Sequence, residues 1–379
     1  MAGTLTRVPY GPGFQTDPHP TLAALRATEP VARIPHPFVD QPAWLVLRYA
    51  TVRQVVTDSR FGKPVDEGEP PSLNSDPPEH TRLRRLAQQA FSQRRVADMA
   101  KPIRTIARDL LAPLAERGSG DLVAEYAKPL PILVIAEMLG VPRSDFTEIV
   151  RRTEGFVEGE SLEGFQRAYP LTEEYVTDLI AQRRRRPGPD LTTAVLNARV
   201  DGQGFAEDEA VRMLMTLLVN GFVSSIRLLA NTLHAVLGDP TLPKSALPST
   251  IEETMRHETV VSAVTWRPSV DLTLDGVPIA AGDLVIASFQ SANRDPERFP
   301  DPDRFDRTRH PNPHLGFSHG LHRCLGAALA RLETVAALEE LLDRLPRIVP
   351  DGPVQWESNR VVRGVATLPA RWHSTRRER

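Results

Sequence analysis

The chain is short of cysteine, of net charge and of long apolar segments, and each shortage excludes a class of protein. A single cysteine, Cys324, cannot form an intramolecular disulfide, so a disulfide scaffold is excluded and a reducing, cytoplasmic location is expected. The formal charge of −2 gives no electrostatic reason to expect nucleic acid or an anionic membrane as a partner. The N-terminal residues MAGTLTRVPYGPGF contain no apolar stretch of the kind found in signal peptides.

The longest apolar run extends from Met213 to Ile226, between Arg212 and Arg227. A bilayer needs about 20 apolar residues, so this run predicts a buried helix rather than a membrane span. The wider pattern over 206–237 predicts one long helix, followed by Gly238 and Pro240 as stop signals. At 1.5 Å per residue it would be roughly 45 Å long, enough to cross a whole domain.

Proline is abundant, and its clusters separate the regions that predict regular structure. Apolar spacing of three and four residues predicts amphipathic helices, and short alternating runs predict strands and a hairpin. The helical regions are 79–116, 121–140, 206–237 and 325 to about 344; the strand-like regions are the start of 43–61, 271–288 and 346–372. The predicted class is mainly α, of the α+β type. The length of 379 residues would allow two domains, and we expect one, spanning 1–379.

The segment Phe317-Ser-His-Gly-Leu-His-Arg-Cys-Leu-Gly326 joins a proline-rich stretch to a helical run. A thiolate at a helix N-terminus is stabilised by the helix dipole and by unpaired backbone N–H groups. Gly320 and Gly326 allow a tight turn and the close approach of a flat ligand. A lone cysteine is by itself more often an inert buried side chain, so the surrounding residues have to decide between these interpretations.

These surroundings resemble the cytochrome P-450 family. Its motif F-x-x-G-x-H-x-C-x-G, which holds the proximal haem thiolate, is matched by Phe317, Gly320, His322, Cys324 and Gly326. In the family's order, Glu253-Thr-Met-Arg256 resembles the E-x-x-R helix, 76–84 the bacterial helix that binds haem propionates, and 292–296 with 301–306 the meander. The likeness covers nearly the whole chain, from Asp17 to Trp372.

The resemblance implies a triangular, α-rich prism with small antiparallel sheets, and haem b (iron protoporphyrin IX) between the long helix and the cysteine loop. Cys324 would ligate the iron, with Phe317 and Gly326 beside the haem. The propionates would be held by His80, Arg84, Arg267 and His322; the alternatives are a helix cap for His80 and a surface cation for Arg267. Glu253 and Arg256 would form a buried structural pair with Arg304.

The sequence departs from the family in the middle of the long helix, where A-G-x-(D/E)-T is usual and Asn220-Gly-Phe-Val-Ser-Ser225 is present. Gly221 would keep the close approach of backbone to bound oxygen, and Ser224 would retain a hydroxyl donor. Val223 cannot shuttle protons. One interpretation is hydroxylation supported by Ser224 and ordered water. The other is oxidative coupling or cyclisation without oxygen insertion, with Phe222 facing the substrate instead of packing in the core.

The positions that match the family's variable regions suggest the substrate class, and other features of the chain suggest the redox partners. The corresponding residues are apolar and predict a hydrophobic or aromatic small molecule of secondary metabolism; they are Leu73, Phe222, Val223, Val261, Val264 and Val361. The chain contains no G-x-G-x-x-G unit for a flavin or nicotinamide, so electrons would come from a ferredoxin and its ferredoxin reductase. The arginines Arg85, Arg94, Arg95 and Arg323 are either a basic docking patch or an ordinary charged surface. A monomer is expected, and a non-catalytic haem sensor is the remote alternative.

Overall fold

The computed structural model describes residues 9–11, 14–64, 70–157, 162–237, 239, 242–357 and 362–374. Its α-helices are α1 (His19–Thr28), α2 (Tyr49–Thr57), α3 (Glu79–Ala90), α4 (Gln93–Asp98), α5 (Ala100–Arg117), α6 (Pro129–Leu139), α7 (Phe146–Val157), α8 (Leu162–Arg185), α9 (Leu191–Asn197), α10 (Glu207–Leu237), α11 (Leu247–His257), α12 (Phe289–Ala292) and α13 (Ala327–Arg344). A π-helical turn, Val123–Ala127, precedes α6.

The strands are short. They are β1 (Val31–Pro35), β2 (Pro42–Val46), β3 (Phe61–Gly62), β4 (Ser119–Asp121), β5 (Ala263–Pro268), β6 (Leu272–Leu274), β7 (Val277–Ile279), β8 (Leu284–Ser288), β9 (Val349–Pro350), β10 (Gln355–Trp356), β11 (Val365–Thr367) and β12 (Pro369–Arg371). The largest sheet has the order β1-β2-β8-β5-β3, in which only the β2–β8 pair is parallel.

The long helix α10 forms the centre of the molecule, as its apolar composition predicts. It packs against α6 on one side and against α8, α11 and α13 on others. By length and composition α10 also meets the test for a membrane span, but 67% of its apolar part is buried in the protein. Its burial is that of a core helix.

The remaining predicted elements agree with the structure in kind, and their ends differ by a few residues. The 43–61 region is β2 followed by α2, and the region after Cys324 is α13, whose first residue is Ala327. The 271–288 region differs more. Its hairpin consists of β6 and β7 alone, whereas β8 leaves it and becomes a central strand of the largest sheet. All five residues of β8 are buried, which fits a central strand.

Candidate active site

Cys324 lies directly before α13, after a short 3₁₀ turn over Gly320–His322. Its backbone N–H donates to the Phe317 carbonyl at 2.9 Å, and the backbone N–H groups of Gly326 and Ala327 donate toward its sulfur. The side chain is free and exposed. The surrounding protein desolvates the sulfur and raises the thiol pKa, while these N–H groups and the Arg84 and Arg331 guanidinium groups act in the opposite direction. The N–H groups at the start of α13 favour a thiolate, but burial outweighs them and the thiol pKa stays above its ordinary value.

Two glycines shape the loop around the cysteine. Gly320 has φ +68°, and a Cβ there would lie 2.6 Å from the Val56 carbonyl oxygen, so no other residue fits. A Cβ on Gly326 would meet nothing within 4 Å. Open space beside the cysteine is what a flat macrocycle requires. Ser318, where a glycine is common in the family, adopts the left-handed conformation at φ +58°.

Two imidazoles, those of His80 and His322, lie beside each other with ring centroids 4.3 Å apart. His80 is fully buried, and neither of its ring nitrogens has a hydrogen-bond partner among the described residues. His322 Nδ1 bonds to the Leu73 carbonyl at 3.2 Å, and its buried Nε2 has no partner in the described part of the chain. Burial lowers the pKa of both imidazoles. The pKa of His322 falls to about 4, because the positive charge of Lys63 adds to the effect of burial. Buried imidazoles with open bonding positions fit the carboxylates of a haem.

The two arginines expected beside the haem have different surroundings. Arg84 of α3 is half-buried, and its Nη2 donates to the Arg323 carbonyl at 2.6 Å, so it joins α3 to the cysteine loop. Arg267 of β5 is exposed, opposite Gly62 of β3. Neither guanidinium is engaged in an ion pair with another described residue.

Trp266 and Lys63 also belong to this region, and the sequence did not point to them. The Trp266 ring lies 5.3 Å from the His322 ring, and its buried Nε1 lacks a partner among the residues described. The Lys63 ammonium lies 3.8 Å from the Trp266 ring centroid, and burial lowers its pKa to about 8. The only sequence signal was the adjacency of Trp266 to Arg267, which does not show which way either side chain points.

The middle of α10 has one face that is not covered. Apart from Gly221, which has no side chain, its half-exposed or exposed residues have the three- and four-residue spacing of a single helical face, and they are Thr216, Val219, Asn220, Val223 and Ser224. The residues around them, including Leu218, Ser225 and Arg227, are buried. Ser224 Oγ donates to the Asn220 carbonyl at 3.1 Å. We call these five residues the open face of α10.

Phe222 and Gly221, two other residues of this region, contact the protein core. Phe222 is fully buried in the core, with its ring 6.4 Å from that of Phe156, so its burial does not support a substrate-facing ring. A Cβ on Gly221 would lie 3.2 Å from Ile135 Cγ1 of α6. The position therefore favours glycine, because a side chain here would fit only if Ile135 moved by a few tenths of an ångström.

The other predicted pocket residues are spread over several elements. Val223 is half-buried on the open face, and Leu73 is half-buried beside His322. Val261 forms an isolated bridge to Val362, and Val264 is half-buried on β5. Val361 lies outside the described residues.

The E-x-x-R pair has a different third arginine from the one expected. Arg256 Nε and Nη2 donate to the two Glu253 oxygens at 2.8 and 2.7 Å, and both side chains are fully buried. Arg304 contributes only its carbonyl, which accepts from Arg256 at 3.1 Å. The side chain that approaches Glu253 is Arg309, at 3.4 Å. Assigning Arg304 to this place was wrong, because spacing along an irregular segment does not determine which side chain turns inward.

A second buried arginine, Arg227, lies one turn beyond Val223 on α10. Its Nε and Nη2 both donate to Oε2 of Glu357, at 3.1 and 3.0 Å, and its Nη1 donates to the Val223 carbonyl at 3.0 Å. A Cβ on Gly364 would overlap the Arg227 side chain. Burial raises the pKa of Glu357, and Arg227 opposes that rise. This pair fixes the C-terminal strand region to the central helix and was not visible in the sequence.

The structure places a cysteine just before α13, and buried imidazole nitrogens that lack partners among the described residues lie on His322 of the same loop and on the adjoining His80. Together with the open face of the central helix, these features indicate a haem-thiolate enzyme. The comparisons with known proteins agree. Residues 245–370 match the family model described as Cytochrome P450, written P-450 here. The chain is 39% identical to cytochrome P-450 107B1 of Saccharopolyspora erythraea, over 96% of both chains. It is 40% identical to the mycinamicin IV hydroxylase/epoxidase of Micromonospora griseorubida, over 92% of this chain and 94% of that protein.

A solved structure shows the same fold. The cytochrome P-450 PksS of the Bacillus subtilis 168 bacillaene polyketide synthase superposes with a TM-score of 0.90 at 31% identity, covering 97% of this chain and all of that one. The chain belongs to the cytochrome P-450 family. It is a haem-thiolate oxidoreductase of secondary metabolism, with haem b as its cofactor, and it acts on a small molecule with redox partners.

Proposed function

We propose that the chain inserts oxygen into a neutral, hydrophobic secondary metabolite of the polyketide type. The observation that carries the proposal is the open face of α10. There, two apolar valines accompany the Ser224 hydroxyl and the Asn220 amide, and no described residue of this face is charged. A mostly apolar surface with few polar groups suits an uncharged ligand. Relatives named as hydroxylases support it, among them the 6-deoxyerythronolide B hydroxylase of Saccharopolyspora erythraea.

Haem would be held by Cys324 on one side and by polar groups at its propionates. His80, Arg84, Arg267 and His322 are the candidates, supported by the open imidazole positions and by the two arginines, neither of which pairs with a carboxylate among the described residues. When bound, haem supplies oxygen activation, for which thiolate ligation favours O–O cleavage. The protein contributes the Ser224 hydroxyl, whose proton bonds to the Asn220 carbonyl in this structure and would have to turn away from it to reach a water or ligand on the open face.

Oxidative coupling or cyclisation is the second candidate, and Val223 is the observation that favours it. Val223 stands where the family usually has an acid that relays protons, and a valine cannot do so. A reaction that removes two hydrogen atoms from the substrate depends less on protons supplied by the protein. The remaining hydroxyl at Ser224 and the names of the relatives weigh toward oxygen insertion.

The deciding experiment measures the mass of the product. The purified protein is supplied with reductant, dioxygen and candidate substrates, which come from extracts of the producing organism or from a panel of polyketides. Oxygen insertion predicts a gain of one oxygen atom, and coupling or cyclisation predicts a loss of two hydrogens. Val223→Asp and Ser224→Ala, assayed for product per electron consumed, separate the mechanisms further. Under oxygen insertion, Ser224→Ala loses product roughly 10²–10⁴-fold and forms peroxide instead. An unchanged yield in Ser224→Ala, with a dehydrogenated product, would favour coupling.

The proposal extends to the redox partner, the oligomeric state and the cellular location of the protein. We propose a ferredoxin and its reductase as electron donors, which dock near the exposed Arg94 and Arg323. Arg95 does not belong to this patch, since its guanidinium donates to the Ala90 and Pro189 carbonyls, and Arg85 pairs with Asp201 at 3.2 Å. A single domain, a monomer and a cytoplasmic location complete the proposal; one cysteine in the chain supports the last of these.

A further inference from the structure

Asn220 is the one exposed residue between Ala210 and Leu237, a stretch of α10 that the structure describes in full. It lies near the middle of a helix whose neighbouring residues Leu218 and Phe222 are buried. Its side chain makes no hydrogen bond to any residue in the described part of the chain, and only its carbonyl is engaged, by Ser224. A carboxamide offers two donors and an acceptor, so one placed at the centre of a protein is expected to meet a ligand or ordered water.

Asn220 is the most exposed hydrogen-bond donor of the open face, which also carries the half-buried hydroxyl of Thr216. The Ser224 proton is directed at the Asn220 carbonyl, and Val219 and Val223 have no polar side-chain atoms. Arg227, one turn beyond Val223, is buried and paired with Glu357, so it presents no cation to this face. The carboxamide is therefore suited to an uncharged oxygen, because an anion would favour a cationic partner and no described residue of this face is charged.

We propose that the Asn220 carboxamide is a specificity-determining group that donates a hydrogen bond to an uncharged oxygen held in the haem cavity. The acceptor belongs to one of two sources, the diatomic ligand on the haem or a carbonyl or hydroxyl group of the substrate. The proposal rests on the proposed function, because it takes the open face of α10 as the wall of the haem cavity. Asn220 occupies the alanine position of the family's A-G-x-(D/E)-T pattern, so the proposal assigns a hydrogen-bonding role to a position that usually has none.

The first arm of the test uses carbon monoxide as the probe. The ferrous carbon monoxide complex is prepared for the wild type, for Asn220→Ala and for the control Thr216→Val, which removes a hydroxyl one turn away on the same face. A donor directed at the diatomic ligand lowers the C–O stretching frequency, so Asn220→Ala should shift the infrared band upward and Thr216→Val should leave it in place. An equal shift in both variants would show a general change of polarity and would overturn the assignment to Asn220.

The second arm uses testosterone, which carries a ketone and a hydroxyl group, and its oxygen-free parent 5α-androstane. If the substrate is the acceptor, Asn220→Ala weakens testosterone binding about tenfold in spin-state titrations and leaves androstane binding unchanged. The proposal is overturned if Asn220→Ala shows no shift of the infrared band and no selective loss of testosterone affinity. Failure of both probes to bind counts as no selective loss of affinity. Failure of the proposed function is distinguishable, because the products of the wild type would then show no gain of one oxygen atom, whatever the Asn220→Ala variant does to the infrared band or to testosterone binding.

Discussion

Cys324 shows how a single side chain depends on its position in the backbone. Desolvation raises the pKa of the thiol, and the N–H groups of Gly326 and Ala327 oppose that rise. An iron bound at the sulfur would hold the thiolate outright, since a coordinating metal deprotonates its thiol ligand. The N–H groups at the N-terminal end of α13 would then stabilise the thiolate, and the bound metal would keep the sulfur ionised.

Replacing Cys324 tests the central assignment. Cys324→Ala removes the soft anionic donor, so the red-shifted Soret band of the reduced carbon monoxide complex should disappear. Absorption spectra of the purified variant are the measurement. Ser318→Ala, in the same loop but outside the ligand set, is the control and should keep the band. A Cys324→Ala protein that retains the band would contradict ligation by Cys324.

The arginines proposed at the propionates predict a loss of cofactor rather than a change of ligation. Arg84→Leu and Arg267→Leu each leave a buried carboxylate underpaired, at a cost of about 1–3 kcal/mol. Haem content per protein after purification should fall, while the Soret maximum of the remaining holoprotein stays where it is in the wild type. Arg94→Leu, an exposed arginine on α4, should keep full occupancy. Full occupancy in both test variants would place Arg84 and Arg267 away from the haem.

At the scale of elements, the side chain of Glu252 on α11 joins that helix to α13 beside the cysteine loop. Arg331 of α13 donates to both Glu252 oxygens, at 2.6 and 2.8 Å, and His314 Nε2 lies 3.1 Å from one of them. The Arg331 guanidinium also lies 4.3 Å from the Phe317 ring centroid. Burial raises the pKa of Glu252, but the bonds from Arg331 and His314 lower it more, to about 2.

This pKa predicts how the helix junction responds to acid. The folded pKa of Glu252 is below its ordinary value of 4.5, so its contribution to stability is present above about pH 4.5 and is lost as the pH falls toward 2. With a discount for the partly exposed side chain, the contribution is about 1–3 kcal/mol. Urea unfolding at pH 7 and pH 3 should show a smaller pH effect in Glu252→Gln than in the wild type.

Glu163→Gln, an exposed residue of α8, is the matched control for this acid response and should behave as the wild type. An identical pH dependence in Glu252→Gln and the wild type would mean that the α11–α13 junction does not depend on the ionised carboxylate.

At the scale of the whole molecule, segments distant in sequence share the same sheets and helix contacts. The largest sheet combines β1 and β2 with β5 and β8, and β4 pairs with β12 near the end of the chain. The helices α5 and α13 pack against each other across the molecule. No point along the described chain divides these contacts into two sequential halves.

This interleaving predicts one cooperative unfolding transition. Calorimetry of the holoprotein should give a single peak, and removal of haem should lower its midpoint, because a ligand that binds only the folded state stabilises it. Sedimentation at the same concentration should report a monomer. Two separate peaks that persist at several scan rates would instead support two independently folding units.

The sequence by itself determined the thiolate candidate, the long central helix and the helix-rich class, because these follow from local spacing and from motifs a few residues long. The burial of Phe222, the contact of Gly221 with Ile135, the choice of Arg309 over Arg304 and the Arg227–Glu357 pair were decided only by the tertiary structure. Arg227 and Glu357 lie far apart in the chain, and no local pattern links them. Helical periodicity places residues on a common face, but only the packing of the whole chain determines whether that face meets another helix, a buried charge or an open cavity.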